Sequence, residues 1–185
     1  MNRLFFIVAI SFFLVGLNFN SEKRNGIDLD KQKWIHGSED CKTNHDPLIQ
    51  VVSYNADTWI LRQNKCIHYE APFIFLFVGE DQSLLIDTGA TPNEKLFPLR
   101  PVVDSILLAN KASNRKLIVA HTHSHGDHIA ADDQFKTRPN TEVIGLNWDA
   151  IQKYFSFNDS KPISLLELGN RSIAFFQLLV MIGFH

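Results

Sequence analysis

The sequence predicts a mixed α/β domain. Four apolar runs between Leu48 and Asp87 predict successive strands, and a helical pattern follows the chain breakers Pro98 and Pro101. Another apolar run then leads into a cluster of histidines, and one more strand, a helix and two final strands are predicted beyond it. The 185 residues, with ordinary hydrophobic and charged fractions, fit one globular domain.

The predicted elements are the following, in chain order. The strands are Leu48–Tyr54, Thr58–Gln63, Phe73–Val78, Ser83–Asp87, Arg115–Ala120, Glu142–Leu146, Ile163–Leu168 and Ser172–Gln177. The helices are Val102–Asn110, His128–Phe135 and Trp148–Phe155.

The pattern His-x-His-x-Asp-His, which begins at His123, is the most informative part of the chain. Residues two apart in an extended segment point the same way, so His123 and His125 can grip one ion together. Gly126 allows a sharp turn, after which Asp127 and His128 come toward a neighbouring position where a second ion could sit. The spacing therefore predicts metal binding by these four side chains.

Imidazoles and a carboxylate favour zinc, with iron or manganese as weaker candidates. No cysteine lies near the pattern, which disfavours a closed structural zinc site. The alternative is that Asp127 only caps a helix and that the histidines form a solvated loop. His121 lies on the strand side of the pattern, and we expect it to orient a ligand or to be exposed rather than to bind metal itself.

The chain resembles the metallo-β-lactamase superfamily of hydrolases on two segments. His123, His125, Asp127 and His128 match the signature of that family, and the segment from Leu84 to Gly89 resembles its strand that ends in Asp-Thr-Gly. The matching region runs roughly from Pro47 to Gln177. The resemblance implies that Asp87 accepts a hydrogen bond and holds a ligand in orientation; otherwise Asp87 would be a turn residue that ends a strand.

The resemblance also implies a fold and a reaction. The fold is an αβ/βα sandwich, of which this sequence fits the N-terminal part. A complete relative would hold two zinc ions and use a metal-bound hydroxide as the nucleophile, with Asp127 as the catalytic residue that binds the second metal and orients the hydroxide. The substrate would be a small molecule of the ester, thioester, lactam or phosphodiester class, which the fold alone does not choose. The alternatives are a truncated metal-binding protein without catalysis and, less favoured, a di-iron redox relative.

Members of the family carry further metal ligands downstream: a third histidine, a bridging Asp or Cys, and a final histidine. In this chain only His185 remains, and we expect it to be a frayed terminal residue rather than a displaced ligand. The run from Phe175 to Phe184 is almost wholly apolar yet shorter than the about 20 residues of a membrane span. We therefore hypothesise a fragment or a frame-shifted product.

The N-terminus predicts export. An apolar run from Leu4 to Leu17 follows Arg3, so residues 1–20 resemble a signal peptide and indicate a periplasmic or secreted protein. An uncleaved anchor and a buried helix are the alternatives. Residues 21–46 form a polar lead-in in which His36 and His45 are expected at the surface, and residues 47–185 form the incomplete metallo-β-lactamase-like domain.

In an oxidising compartment Cys41 and Cys66 could form a disulfide, the alternative being two separate buried thiols. The 18 basic and 20 acidic residues leave a net charge near zero and no basic stripe. We therefore expect no nucleic-acid partner, and membrane contact only through the N-terminal segment. The sequence does not indicate an oligomeric state.

Overall fold

The computed structural model describes residues 26–37, 40–158 and 160–176. A 3₁₀ turn at Leu29–Lys31 comes first. The strands are β1 (Ile49–Asn55), β2 (Thr58–Gln63), β3 (Phe73–Val78), β4 (Gln82–Ile86), β5 (Lys116–Ala120), β6 (Thr141–Val143), β7 (Ile163–Glu167) and β8 (Ser172–Phe176). The helices are α1 (Leu99–Ala109), α2 (Gly126–Ile129), α3 (Asp133–Lys136) and α4 (Trp148–Phe155).

The first six strands form one sheet in chain order, β1 to β6. The pairs from β1 to β4 are antiparallel, as expected for strands joined by short loops, whereas β4, β5 and β6 run parallel to one another. Strands β7 and β8 form a separate antiparallel hairpin. The predicted mixed α/β fold class is confirmed.

Strands β4 and β5 contribute side chains to a core on each face of the six-stranded sheet, since successive side chains of a strand point in opposite directions. On one face Leu85 and Leu117 belong to a core that includes Leu107 of α1 and Phe135 of α3. On the other face the second core contains buried residues of the sheet, of α4 and of the turn after β7, with partly buried residues of the hairpin packed against it. The buried residues of this second core are Leu84, Ile118, Ala120, Ile144, Phe155, Phe157 and Leu168, and the partly buried hairpin residues that pack against it are Leu166, Ile173 and Phe175.

Polar contacts also join the turn of the hairpin to the six-stranded sheet. Arg171, between β7 and β8, donates from Nη1 to Asp57 Oδ1 at 2.5 Å and to Thr58 Oγ1 at 3.0 Å. Its guanidinium also lies 5.0 Å from the centre of the Phe77 ring. The hairpin is therefore fixed to the start of β2 as well as to the apolar core.

Two of the predicted elements need correction. The predicted helix His128–Phe135 is interrupted, because α2 ends at Ile129 and α3 begins only at Asp133, with Asp132 buried between them. The predicted strand Glu142–Leu146 is shorter and shifted toward the N-terminus, to Thr141–Val143, because only these residues pair with β5.

The polar lead-in is attached to the sheet by a covalent bond and by hydrogen bonds. Cys41 and Cys66 form the disulfide that the sequence left open, and Asn64, at the end of β2, donates its side-chain amide to Asn44 Oδ1 and to the Pro47 carbonyl, both at 3.0 Å. His36 and His45 are exposed, as expected. None of the helices within the described ranges has the length and apolar character that a bilayer crossing requires.

The disulfide yields a stability prediction. Replacing Cys41 and Cys66 together by serine opens a loop with a sequence separation of 25. The chain-entropy model gives a loss of about 3.5 kcal/mol in the free energy of unfolding. A domain of this size should then melt roughly 7–14 °C lower, which differential scanning calorimetry would measure.

The matching control is the unaltered protein in a strong reductant, which should have the same melting temperature as the double variant. The melting temperature of the variant itself should not change when reductant is added. Equal melting temperatures of the oxidised protein and the variant would contradict the prediction.

Candidate metal site

The C-terminal ends of β4 and β5 lie side by side, because the two strands are parallel and Ile86 pairs with Ala120. The residues that follow each strand are therefore brought together at one edge of the sheet. Asp87 and Thr88 follow β4, and the histidine-rich segment from His121 follows β5. Sites in open α/β sheets form at such strand ends.

Three of the four predicted ligands converge. His123, Asp127 and His128 each offer one ligand atom, and these atoms lie within 4.8 Å of one another. The His128 Nε2 atom is 3.0 Å from Asp127 Oδ2, and the ring centres of His123 and His128 are 3.9 Å apart. Two imidazole nitrogens and a carboxylate oxygen in this arrangement are a donor set that fits a divalent ion such as zinc.

The fourth predicted ligand, His125, lies outside this group of three. Its side chain is exposed, and its ring stands edge-on to the ring of His123 with the centres 4.6 Å apart. The sharp glycine turn expected at Gly126 is not present: this residue begins α2, and its φ is not among the positive values found for glycines of the described residues. His125 and His123 are therefore neighbours, as the alternation of an extended segment requires, but metal binding by His125 stays a prediction.

Asp87 is the buried centre of the site. Its carboxylate, 2% exposed, accepts hydrogen bonds from the Thr122 amide at 2.8 Å and the Thr122 hydroxyl at 2.9 Å, and its Oδ2 lies 2.8 Å from His128 Nδ1. Because His128 Nε2 is the atom on the Asp127 side, Asp87 holds the opposite nitrogen of the same ring. This is the carboxylate–histidine arrangement that orients a metal-binding imidazole.

A second buried carboxylate, Asp132, was not anticipated from the sequence. Its Oδ1 accepts from the Thr88 hydroxyl at 2.8 Å and lies 2.9 Å from His121 Nε2. The Thr88 amide in turn donates to the His128 carbonyl at 2.7 Å. Asp132 thus joins the residues that follow β4 to those that follow β5, and its only sequence signal was a charged residue inside a predicted helix.

His121 lies in the wall of the site and not among the three converging donors. Its side chain is only 4% exposed and is held by Asp132, so the expectation that it is exposed is wrong. The alternative, that His121 orients a ligand, stays a prediction. His185, the other candidate of the sequence, lies outside the described residues, as does the proposed signal peptide.

The loop between β2 and β3 lies within electrostatic range of the site. Tyr69 is 73% exposed and donates its hydroxyl to Glu70 Oε1 at 3.1 Å. This hydrogen bond and the charge of Glu70 raise the pKa of Tyr69, and the charge of Asp127 adds a smaller contribution in the same direction. His68 of this loop stacks on Tyr69 with the ring centres 4.9 Å apart.

Two solved structures illustrate what this chain is similar to. A metallo-β-lactamase from Hirschia baltica aligns with 17% identity over 65% of this chain and 57% of its own, at a TM-score of 0.45. A metallo-β-lactamase from Pontibacter korlensis aligns with 16% identity over 67% of this chain and 58% of its own, also at 0.45. The chain therefore spans less than two thirds of the length of either structure. No curated protein sequence matches it.

The sequence model of the metallo-β-lactamase superfamily matches residues 70–147 of this chain. The matched region begins in the loop of Tyr69 and Glu70 and ends just before α4, so it includes β3 to β6. It contains Asp87, Asp132 and the whole His-x-His-x-Asp-His pattern. Over residues 70–147 this chain is similar to the metallo-β-lactamase superfamily.

Proposed function

We propose that the protein is a metal-dependent hydrolase that adds water to a carbonyl or phosphoryl centre of a small molecule. The observation that supports this most directly is the convergence of His123, Asp127 and His128 within 4.8 Å, with Asp87 behind His128. Three protein donors leave a tetrahedral ion one open position, which distinguishes catalytic zinc sites from structural ones.

The proposed metal is zinc, which when bound lowers the pKa of water toward about 7 and polarises the substrate. His123 and His128 would bind the ion through ring nitrogens. Asp127 would bind through one oxygen, and its second oxygen could accept a hydrogen bond from the attacking water and so hold it in line with the substrate. Asp87 would keep His128 in the orientation and tautomer that metal binding needs.

The rival proposal is a metal-binding protein without catalysis. It is favoured by the position of His125, which is exposed and outside the group of three donors. The two proposals differ in one measurable respect, since only the hydrolase consumes substrate in a metal-dependent way. We favour the hydrolase because three protein donors leave a tetrahedral ion one position for water or a substrate.

Metal affinity tests the proposed role of Asp87. Asp87→Asn should weaken zinc binding about 10- to 100-fold, because the amide no longer orients His128 as a carboxylate does. Competition of zinc with a chromophoric chelator would measure the change. The matched control is Asp104→Asn, which alters a carboxylate bonded to Arg138 Nε at 2.5 Å but belongs to no part of the site.

The control variant should bind zinc as the unaltered protein does. Equal zinc affinity of both variants would contradict the role of Asp87.

Hydrolysis is tested with the zinc-loaded chain and a panel of activated esters, thioesters, lactams and phosphodiesters. We expect turnover of at least one class, loss of turnover when a chelator removes the metal, and recovery when zinc is restored. His123→Ala should lower the rate at least 100-fold, because it removes one of three donors. Zinc binding without turnover of any class would reject the hydrolase and support the rival proposal.

We also propose that the protein is exported. The disulfide between Cys41 and Cys66 supports this, since disulfides persist in oxidising compartments and are rare in reducing ones. When the full chain is expressed in a bacterium with a functional secretion system, the mature protein should be recovered outside the cytoplasm. Mass spectrometry should find its N-terminus near residue 21, whereas an intact Met1 on a cytoplasmic protein would contradict export.

A further inference from the structure

A cavity of about 510 Å³ adjoins the candidate metal site, between α4 and β8. His121 and His123 lie in one wall, and Ile151 and Phe155 of α4 and Phe175 of β8 contribute to the others. This volume falls in the range of about 300–1,000 Å³ that is typical of small-molecule sites. The cavity therefore connects a metal-binding side chain to a space large enough for a substrate group.

The walls of the cavity are almost entirely uncharged. Among the described residues that line it, none is Asp, Glu, Lys or Arg, and the polar side chains are confined to residues 121–124 at the end of β5. An anionic group placed among the apolar walls, away from His123, would lose its hydration without gaining a cationic partner, which is costly. The cavity thus selects against charged substrate groups and for apolar ones.

The apolar side chains of the cavity come from elements that the core holds in place. Phe155 is buried, and its ring stacks on that of Phe175 with the centres 4.2 Å apart, so α4 and β8 are packed together at this point. Ile151 lies one turn before Phe155 on the same helix and is partly buried. A group that enters the cavity would meet a preformed apolar surface.

We infer that this cavity binds the apolar acyl chain of an uncharged carboxylic ester, an inference that rests on the proposed hydrolase function. Water adds to the acyl carbon beside the group of three donors, the bond from this carbon to the alcohol oxygen breaks, and the alcohol leaves with a proton. The acyl half is joined to the attacked carbon by a carbon–carbon bond and stays at the site when the alcohol leaves, so we assign this half to the cavity that adjoins His123. The inference thus names neutral esters with an extended apolar acyl group as the substrate class.

A series of p-nitrophenyl esters tests the inference with the zinc-loaded chain. The leaving group is constant, while the acyl part lengthens from acetate through butyrate and hexanoate to octanoate. We expect kcat/KM to rise by up to about fourfold for each methylene that the cavity buries, until the cavity is filled. The same rates at every chain length would overturn the inference while leaving the hydrolase proposal intact.

Variants at Ile151 alter the cavity from a helix surface that already faces it. Ile151→Trp should narrow the cavity and abolish the gain with chain length, whereas Ile151→Ala should extend the gain to longer chains. Leu108→Trp is the matched control, because Leu108 is 68% exposed on α1 and does not line the cavity. A dependence on chain length that is equal in all three variants would place the acyl chain elsewhere.

Binding can be measured without turnover, by titrating the metal-free chain with octanamide. Trp148 lies at the cavity and is 48% exposed, so a bound apolar chain should shift its emission to shorter wavelength. Trp148→Phe should lose this shift, which assigns it to that residue. A saturable shift supports the inference, and no saturable change would overturn it, in which case the cavity is an interior gap that no ligand enters.

Failure of the proposed function has a different result. If octanamide binds saturably but the zinc-loaded chain hydrolyses none of the esters, thioesters, lactams and phosphodiesters, the hydrolase proposal falls and with it the assignment of the cavity to a substrate. If short esters are hydrolysed and octanamide does not bind, only the inference about the cavity falls.

Discussion

The carboxylate of Asp87 is the constraint on which the site depends. It ends β4 at a φ of +67°, a left-handed conformation that aspartate adopts more readily than most residues, and it is buried with its oxygens engaged by Thr122 and His128. A buried carboxylate is tolerated only when such partners compensate its lost hydration. The hydrogen bonds that satisfy Asp87 also hold the segment after β5 in place. The bonds that stabilise the turn at Asp87 therefore also set the position of the metal-ligand candidate His128.

The packing on the two faces of the sheet explains why the strand ends that carry the site are held in place while a cavity remains beside them. Strands β4 and β5 are buried on both faces, by α1 and α3 on one and by α4 and the hairpin on the other, so the ends that carry the site have little freedom. The hairpin is held by the core and by Arg171 at Asp57, whereas the described residues leave a cavity beside His123 that α4 and β8 border. The cavity thus results from the way α4 and the hairpin pack on the sheet, and it lies next to His123.

Polar residues around the site act as a connected set. Asp87 joins β4 to Thr122 and His128, Asp132 joins Thr88 to His121, and Thr88 joins its own strand end to the His128 carbonyl. A buried polar network of this kind rigidifies a site when its members are satisfied, and loses that effect when one partner is removed. The interruption between α2 and α3 has the same origin, because Asp132 turns inward to this network instead of continuing a solvent-exposed helical face.

Features that depend on the local pattern of residues were predictable from the chain. Strands β2 and β3 and helix α4 begin and end where the apolar periodicity predicted, and the spacing of the histidines predicted the metal-binding candidates and a resemblance to the metallo-β-lactamase superfamily, whose sequence model matches residues 70–147. Contacts between residues far apart in the chain became visible only in the folded domain. Asp132 is 44 residues from Thr88 along the chain and Cys41 is 25 from Cys66, and no periodicity states that they touch. The position of His125 outside the donor group and the cavity beside His123 were decided in the same way, because both arise from how the strand ends, α4 and β8 pack in three dimensions.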